Sequence, residues 1–296
     1  MMIRSRLAPT PSGYLHAGNA INFAITAALT RAAHGSLGLR IDDLDAQRVR
    51  PEYIADILDT LGWLGIAYDT GPKNTSEAAR LSQGHRVERY IRLVDTFIEK
   101  GNVYACTCSR REVEERTGSL IYDGHCRNAG HAITAETILR FALPERTIEV
   151  HDILRGTLRI DLLAAAGDPV IRRRDGLPAY HIASLADDLD QQVNLIVRGE
   201  DLLFSTATQL VLADALGRTG RAFTAAHFLH HALATAEDGR KLSKSQGDSP
   251  LRAKRLAGES TRDLYRQAAA LLQIPAAENL AELSEAVLPV VMPLLN

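Results

Sequence analysis

The chain lacks the marks of several protein classes. Only three cysteines occur in 296 residues, all between Cys106 and Cys126. An odd, clustered set excludes a disulfide framework and points to metal or redox chemistry instead. No apolar run approaches the ~20 residues of a membrane span, although 46% of the residues are hydrophobic. The net charge is −2, so the chain as a whole is not a basic nucleic-acid binder. Any RNA contact is expected from local patches, Arg172-Arg173-Arg174 or Arg252-x-Lys254-Arg255. The N-terminus enters a strand pattern at once, so no signal peptide and a cytoplasmic location are expected. No internal repeat or low-complexity segment is visible.

What is present starts with Arg6 to Asn19, R-L-A-P-T-P-S-G-Y-L-H-A-G-N. Met2 to Leu7 reads as a buried strand. Asn19 to Ala33 is apolar at helical spacing, with Gly35 at its stop. Between them, two prolines prevent regular pairing, while Gly13 and Gly18 let backbone approach a ligand. Strand, tight loop and helix N-terminus together aim free N–H groups at an anion. Neither G-K-[ST] nor G-x-G-x-x-G is found there.

Leu37 to Ile41 reads as a second strand, ending in Asp42-Asp43-Leu44-Asp45. Pro51 opens a helix that ends near Gly62. Gln83 to Lys100 predicts an amphipathic helix with Val87, Tyr90, Ile91, Val94, Phe97 and Ile98 on its apolar face. Ser109-x-x-Glu112 is a capping box. Leu139 to Asp161 alternates polar and apolar residues and predicts one small antiparallel sheet. Asn194 to Val197 reads as a buried parallel strand with Arg198 at its carboxyl end, where ligands of open α/β sheets bind. A helix from Thr206 to Leu216 and a strand from His227 to Ala232 follow, and the chain after Pro250 reads as helical.

These elements predict an α/β fold in which an inserted region splits a doubly wound parallel sheet. The segments expected are 1–100, the first half of the catalytic domain, and 101–189, the insertion. Residues 190–248 form the second half and 249–296 a helical C-terminal segment. A structural metal wants four ligands. Cys106, Cys108 and Cys126 supply three, and Tyr122, His125 and His131 compete for the fourth place.

The pattern P-x-P-x-G-x-L-H-x-G, preceded by R-x-A-P, resembles the HIGH motif of class I aminoacyl-tRNA synthetases in their glutamyl/glutaminyl branch. Asp238 to Ser245, D-G-R-K-L-S-K-S, resembles their KMSKS loop with leucine for methionine. R-I-D-D-L-D at Arg40 to Asp45 resembles the R-I-E-D-[TL]-D block of the glutamyl-tRNA synthetases, with Asp42 one methylene shorter than the family's glutamate. The passage from Asp168 through Tyr180 to Arg198-Gly199 is similar to the same family.

The resemblance implies a Rossmann-type class I catalytic domain that uses ATP with Mg²⁺. It implies His16, Lys241 and Lys244 as catalytic residues, and His16, Gly18, Asn19 and Lys244 as the ATP site. Glutamate would be held by Arg6, Leu7, Ala8, Pro9, Thr10, Asp42, Tyr180 and Arg198. The C-x-C…Y-x-x-x-C spacing resembles the zinc knuckle of glutamyl-queuosine tRNA(Asp) synthetases. There a tyrosine oxygen is the fourth ligand, which implies one structural Zn²⁺ on Cys106, Cys108, Tyr122 and Cys126.

Only the catalytic half of the longer glutamyl-tRNA synthetases is matched, and no anticodon-binding region is expected. The implied reaction activates L-glutamate to glutamyl-adenylate. It then transfers glutamate to the queuosine base at the wobble position of tRNA(Asp), the protein acting as a monomer. A truncated glutamyl-tRNA synthetase charging a tRNA 3′ end, or a non-catalytic RNA-binding paralogue, are the alternatives.

Overall fold

A computed structural model describes residues 2–233 and 251–295. Its strands in chain order are β1 (Arg4–Leu7), β2 (Ser36–Leu39), β3 (Val103–Cys106), β4 (Ile138–Phe141), β5 (Ile148–Asp152), β6 (Gly156–Ile160), β7 (Val170–Arg172), β8 (Leu195–Gly199) and β9 (His227–His231).

β1 and β2 pair in parallel. Parallel neighbours need a long crossover, and the helix Ala17–Ala32 supplies it. Their contact continues beyond the strands: Arg40 N–H donates to Leu7 O and Asp42 N–H to Pro9 O, both at 2.9 Å. The Pro9 loop is thereby fixed against the Asp42 turn. β8 and β9 also pair in parallel. Asn194 joins the two pairs, its N–H donating to Arg4 O at 2.9 Å and its side-chain oxygen accepting from Arg4 N–H at 2.7 Å.

The sheet expected between Leu139 and Asp161 is not one sheet. β4 pairs antiparallel with β3 and β7. β5 and β6 form an antiparallel hairpin that docks beside β9, in the order β6-β5-β9-β8. The larger sheet is therefore mixed, where the sequence pattern predicts a parallel one. Alternation marks each strand as half-buried but carries no information on its partner.

Two large apolar clusters fill the fold. One surrounds the helix Ala17–Ala32 and includes Tyr265, Ala268 and Leu283 of the C-terminal helices. The other surrounds the helix Val87–Glu99 and β4 and β5. On that helix Tyr90, Leu93, Val94 and Phe97 are buried. Ile91, expected on the apolar face, is 39% exposed, and Leu93 takes the inward place. Gln83 to Arg86 form a separate 3₁₀ turn ahead of the helix. A third, small cluster consists of Cys106, Cys108, Val113, Tyr122 and Cys126. Among the described residues, no helix is long and apolar enough to cross a membrane.

Candidate active site

The loop from Ala8 to His16 leaves β1 and enters the helix Ala17–Ala32 at its N-terminus. His16 caps that helix with extended backbone, and its N–H donates to the Asn19 side-chain oxygen at 3.1 Å. A Cβ at Gly18 would stand 3.1 Å from the His16 ring, so the missing side chain keeps the imidazole seated on the first turn. One turn on, Asn22 Oδ1 lies 3.0 Å from His231 Nε2, tying the helix start to the carboxyl end of β9. Gly18, Asn19 and His16 are thus gathered at one helix terminus, the geometry that suits a phosphate. Lys241 and Lys244 lie outside the described residues.

Beside this loop is a buried ionic cluster drawn from β1, the Arg40–Asp43 turn and the helix Tyr180–Asp190. Arg6 Nε donates to Asp188 Oδ1 at 3.0 Å, and Arg40 Nη1 to the same oxygen at 2.6 Å. Arg40 Nε donates to Asp42 Oδ1 at 2.7 Å. Gln83 Nε2, Arg86 Nε and the Tyr90 hydroxyl all donate to Asp187, at 2.8–2.9 Å. Burial pushes the Asp188 carboxyl up, but the Arg6, Arg40 and Arg198 cations outweigh it and hold it at about 2. At Asp42 burial prevails over Arg40 and raises the carboxyl above its ordinary value.

Arg198, at the end of β8, is 3% exposed and makes no ion pair with any described residue. Nη1 donates to Thr206 Oγ1 at 2.8 Å; Nη2 is buried without a hydrogen-bond partner among the described residues. Burial disfavours its charge, with Arg6 and Arg40 adding to that effect against Tyr180 and Asp188. A guanidinium does not deprotonate in a protein, so Arg198 is a destabilised cation that an anion would relieve. Tyr180 opens the helix over this space and is 41% exposed. Its neighbour His181 is held neutral, burial and Arg198 bringing its pKa down to about 4.

Of the residues expected to hold glutamate, Arg6, Asp42 and Arg198 are brought together, with Tyr180 at the edge. Leu7 and Pro9 are buried in the connecting backbone, Ala8 is half-buried and Thr10 exposed. Asp42 is already engaged by Arg40, which the block R-I-D-D did not disclose. The sequence reading also missed Asp187 and Asp188. Two adjacent acids inside the apolar helix I-A-S-L-A-D-D-L were a usable signal, because buried carboxylates require partners. A cavity of about 650 Å³ beside β2, lined by Arg4, Ser36, Arg80 and His85, shares Arg40 and Arg86 with the cluster and includes neither His16 nor Arg198.

The three thiols meet as expected. Their sulfurs lie within 4.8 Å of one another and could hold a metal. Cys108 and Cys126 sulfurs are 3.6 Å apart, close to the ~3.8 Å edge of a tetrahedron with zinc–sulfur bonds of ~2.3 Å. The Tyr122 hydroxyl is 3.3 Å from Cys106 Sγ and accepts from Cys126 N–H at 2.8 Å. His125 and His131 are exposed and stand outside the thiol cluster. Three sulfurs with a phenol oxygen are a donor set that fits zinc. The arginines of the basic runs are engaged within the chain. Arg172 and Arg174 donate to the carbonyls of Thr134 and Thr107, and Arg255 bonds Asp56 and Thr60.

Residues 2–261 match the model of the tRNA synthetases class I (E and Q), catalytic domain, and the chain belongs to that family and is a ligase. Over 280 residues it is 39% identical to a glutamyl-Q tRNA(Asp) synthetase of Pseudomonas aeruginosa, covering 93% of this chain and 90% of the relative. It is 35% identical to a glutamate–tRNA ligase of Sulfurihydrogenibium over 85% of this chain, and spans about half (54%) of that relative. A glutamate tRNA ligase of Elizabethkingia meningosepticum, solved with its amino acid, superposes with a TM-score of 0.69 at 28% identity. That match covers 84% of this chain and 53% of the other.

Proposed function

We propose that the protein activates L-glutamate with ATP, in the presence of Mg²⁺, and transfers it to the queuosine base of tRNA(Asp). The observation that carries the amino-acid choice is Arg198, a buried cation without a carboxylate partner among the described residues, with Arg6 close enough to share Asp188 with Arg40. A carboxylate side chain answers that charge; the amide of glutamine does not. Asp42, joined to the same cluster through Arg40, supplies negative charge for the substrate ammonium through the carboxylate oxygen that Arg40 does not take. Attack of the glutamate α-carboxylate on the α-phosphorus forms glutamyl-adenylate and releases pyrophosphate. Charge that builds on the phosphoryl oxygens meets the helix N-terminus near Asn19, His16 and, from the loop outside the described residues, Lys241 and Lys244.

Zinc on Cys106, Cys108, Tyr122 and Cys126 would brace the segment between β3 and β4. The queuosine acceptor is supported by the relatives named glutamyl-Q tRNA(Asp) synthetase, which this chain matches over most of their length. The test is to incubate the protein with ATP, labelled glutamate and total tRNA from cells with and without queuosine. Label that requires queuosine supports the proposal. Equal labelling of both pools, lost on periodate blocking of the 3′ end, would show a tRNA-charging enzyme instead.

A further inference from the structure

Behind Arg198, away from the substrate space, four buried side chains form one connected chain. Arg198 Nη1 donates to Thr206 Oγ1 at 2.8 Å. Thr206 Oγ1 lies 2.9 Å from His230 Nε2, and His230 Nδ1 lies 2.7 Å from Asp152 Oδ2. The four come from β8, the helix Leu203–Leu216, β9 and β5. Thr206, His230 and Asp152 are 0%, 1% and 5% exposed, which excludes a surface role.

The direction of the two end bonds follows from their neighbours. Asp152 Oδ1 accepts from the N–H groups of Leu154 and Arg155 at 2.9 and 3.0 Å, and Oδ2 accepts from His230 N–H at 2.7 Å. A carboxylate so placed accepts only, so His230 Nδ1 carries the hydrogen toward it. At the other end the guanidinium donates only, so the Thr206 oxygen accepts from Arg198. The Thr206 oxygen keeps a second lone pair, so it pairs with His230 Nε2 in either charge state: its hydroxyl donates to a neutral imidazole or it accepts from an imidazolium. In either case Arg198, Thr206, His230 and Asp152 form one continuous hydrogen-bonded chain.

Asp188 Oδ2 is buried and has no hydrogen-bond partner among the described residues, and Asp188 is among the charges that act on Arg198. An untethered guanidinium would swing onto that oxygen and neutralise the anion site. We infer that Thr206, His230 and Asp152 are positioning residues: they hold Arg198 off Asp188 and keep its Nη2 edge turned toward the substrate's side-chain carboxylate. The inference rests on the reading of Arg198 as glutamate-binding. It extends that reading to selectivity, because a fixed buried donor discriminates against a ligand that cannot satisfy it.

Glutamate-dependent pyrophosphate exchange tests this with Arg198→Ala, Thr206→Val, Thr206→Ser and His230→Asn. Thr206→Val keeps the shape and removes the hydroxyl. It is expected to raise the KM for glutamate about 10- to 100-fold, the scale for losing an orienting partner, and to lower the preference for glutamate over glutamine. kcat should change by less than about threefold and the KM for ATP should stay as in wild type, the split expected when binding is lost equally from the ground and transition states. Thr206→Ser should restore the wild-type KM.

Should Thr206→Val fail to fold, His230→Asn carries the test. Asn reaches Asp152 in place of Nδ1 but offers nothing to Thr206, and the same rise is expected. A wild-type glutamate KM in the folded variant, with Arg198→Ala raising it, overturns the positioning role and leaves the glutamate site standing. An equal rise in the KM for ATP also overturns it, as general damage. A wild-type glutamate KM in Arg198→Ala overturns the glutamate reading itself.

Discussion

The Asp42 carboxylate accepts a 2.7 Å hydrogen bond from Nε of Arg40, two residues before it in the chain. The group expected to hold the substrate ammonium is therefore already half-engaged, and Arg40 is itself shared with Asp188. Asp42 cannot be removed without disturbing both.

Asp42→Ala is expected to weaken glutamate binding by roughly 2 to 5 kcal/mol, since it leaves a desolvated ammonium without its counter-charge. It should also lower the thermal midpoint, because Arg40 loses a buried partner. Asp42→Glu should change the KM for glutamate by less than about tenfold, as only the length of one contact changes. Steady-state exchange kinetics and a melting curve of each variant check both. Wild-type glutamate binding by Asp42→Ala would remove Asp42 from the site.

Wild-type protein should catalyse ATP–pyrophosphate exchange with glutamate and far more slowly with glutamine. Lys244→Ala should lower the rate about a hundredfold or more, the scale for one lost donor to a charged transition state. Exchange with glutamine as fast as with glutamate would contradict the charge argument at Arg6 and Arg198.

Metal analysis should find about one zinc per chain. Cys126→Ser and Tyr122→Phe are expected to lose it; His125→Ala and His131→Ala should keep it. Gly167→Ala should also weaken retention. Gly167 has φ +66°, and a Cβ there would lie 2.3 Å from Tyr122 O, so Tyr122 must shift. Full zinc content in Tyr122→Phe would pass the fourth position to another donor.

The neutral His181 makes stability depend on pH. Burial and Arg198 hold its folded pKa at about 4, below its ordinary 6.5. As pH falls through 6.5 the unfolded chain takes up a proton that the folded protein refuses, so stability declines down to pH 4 and then levels off. His181→Gln should lose less stability than wild type between about pH 7.5 and 5, read from urea midpoints at each pH. Equal losses would show that His181 does not contribute.

Local signals were legible in the sequence. The Pro9–Gly18 loop with its helix start and the Ser109–Glu112 capping box each act within a few residues and are present as read, and the three cysteines, 20 residues apart at most, meet in one cluster. The Ile91 and Leu93 exchange shows the limit of periodicity, which gives a face but not its centre. The β5–β6 hairpin shows another, since a strand's alternation does not name its neighbour.

The sequence by itself determined which residue types stand at the loop, the thiol cluster and the strand ends. The tertiary structure decided who pairs with whom. Asp188 meets Arg40 across 148 residues and Arg6 across 182, and His230 reaches Asp152 only because β9 lies beside β5. The physical reason is that a buried charge or hydroxyl must find a partner, yet which one is set by strand order and register. Those are properties of the packed chain, decided by the burial of apolar faces far from the groups they bring together.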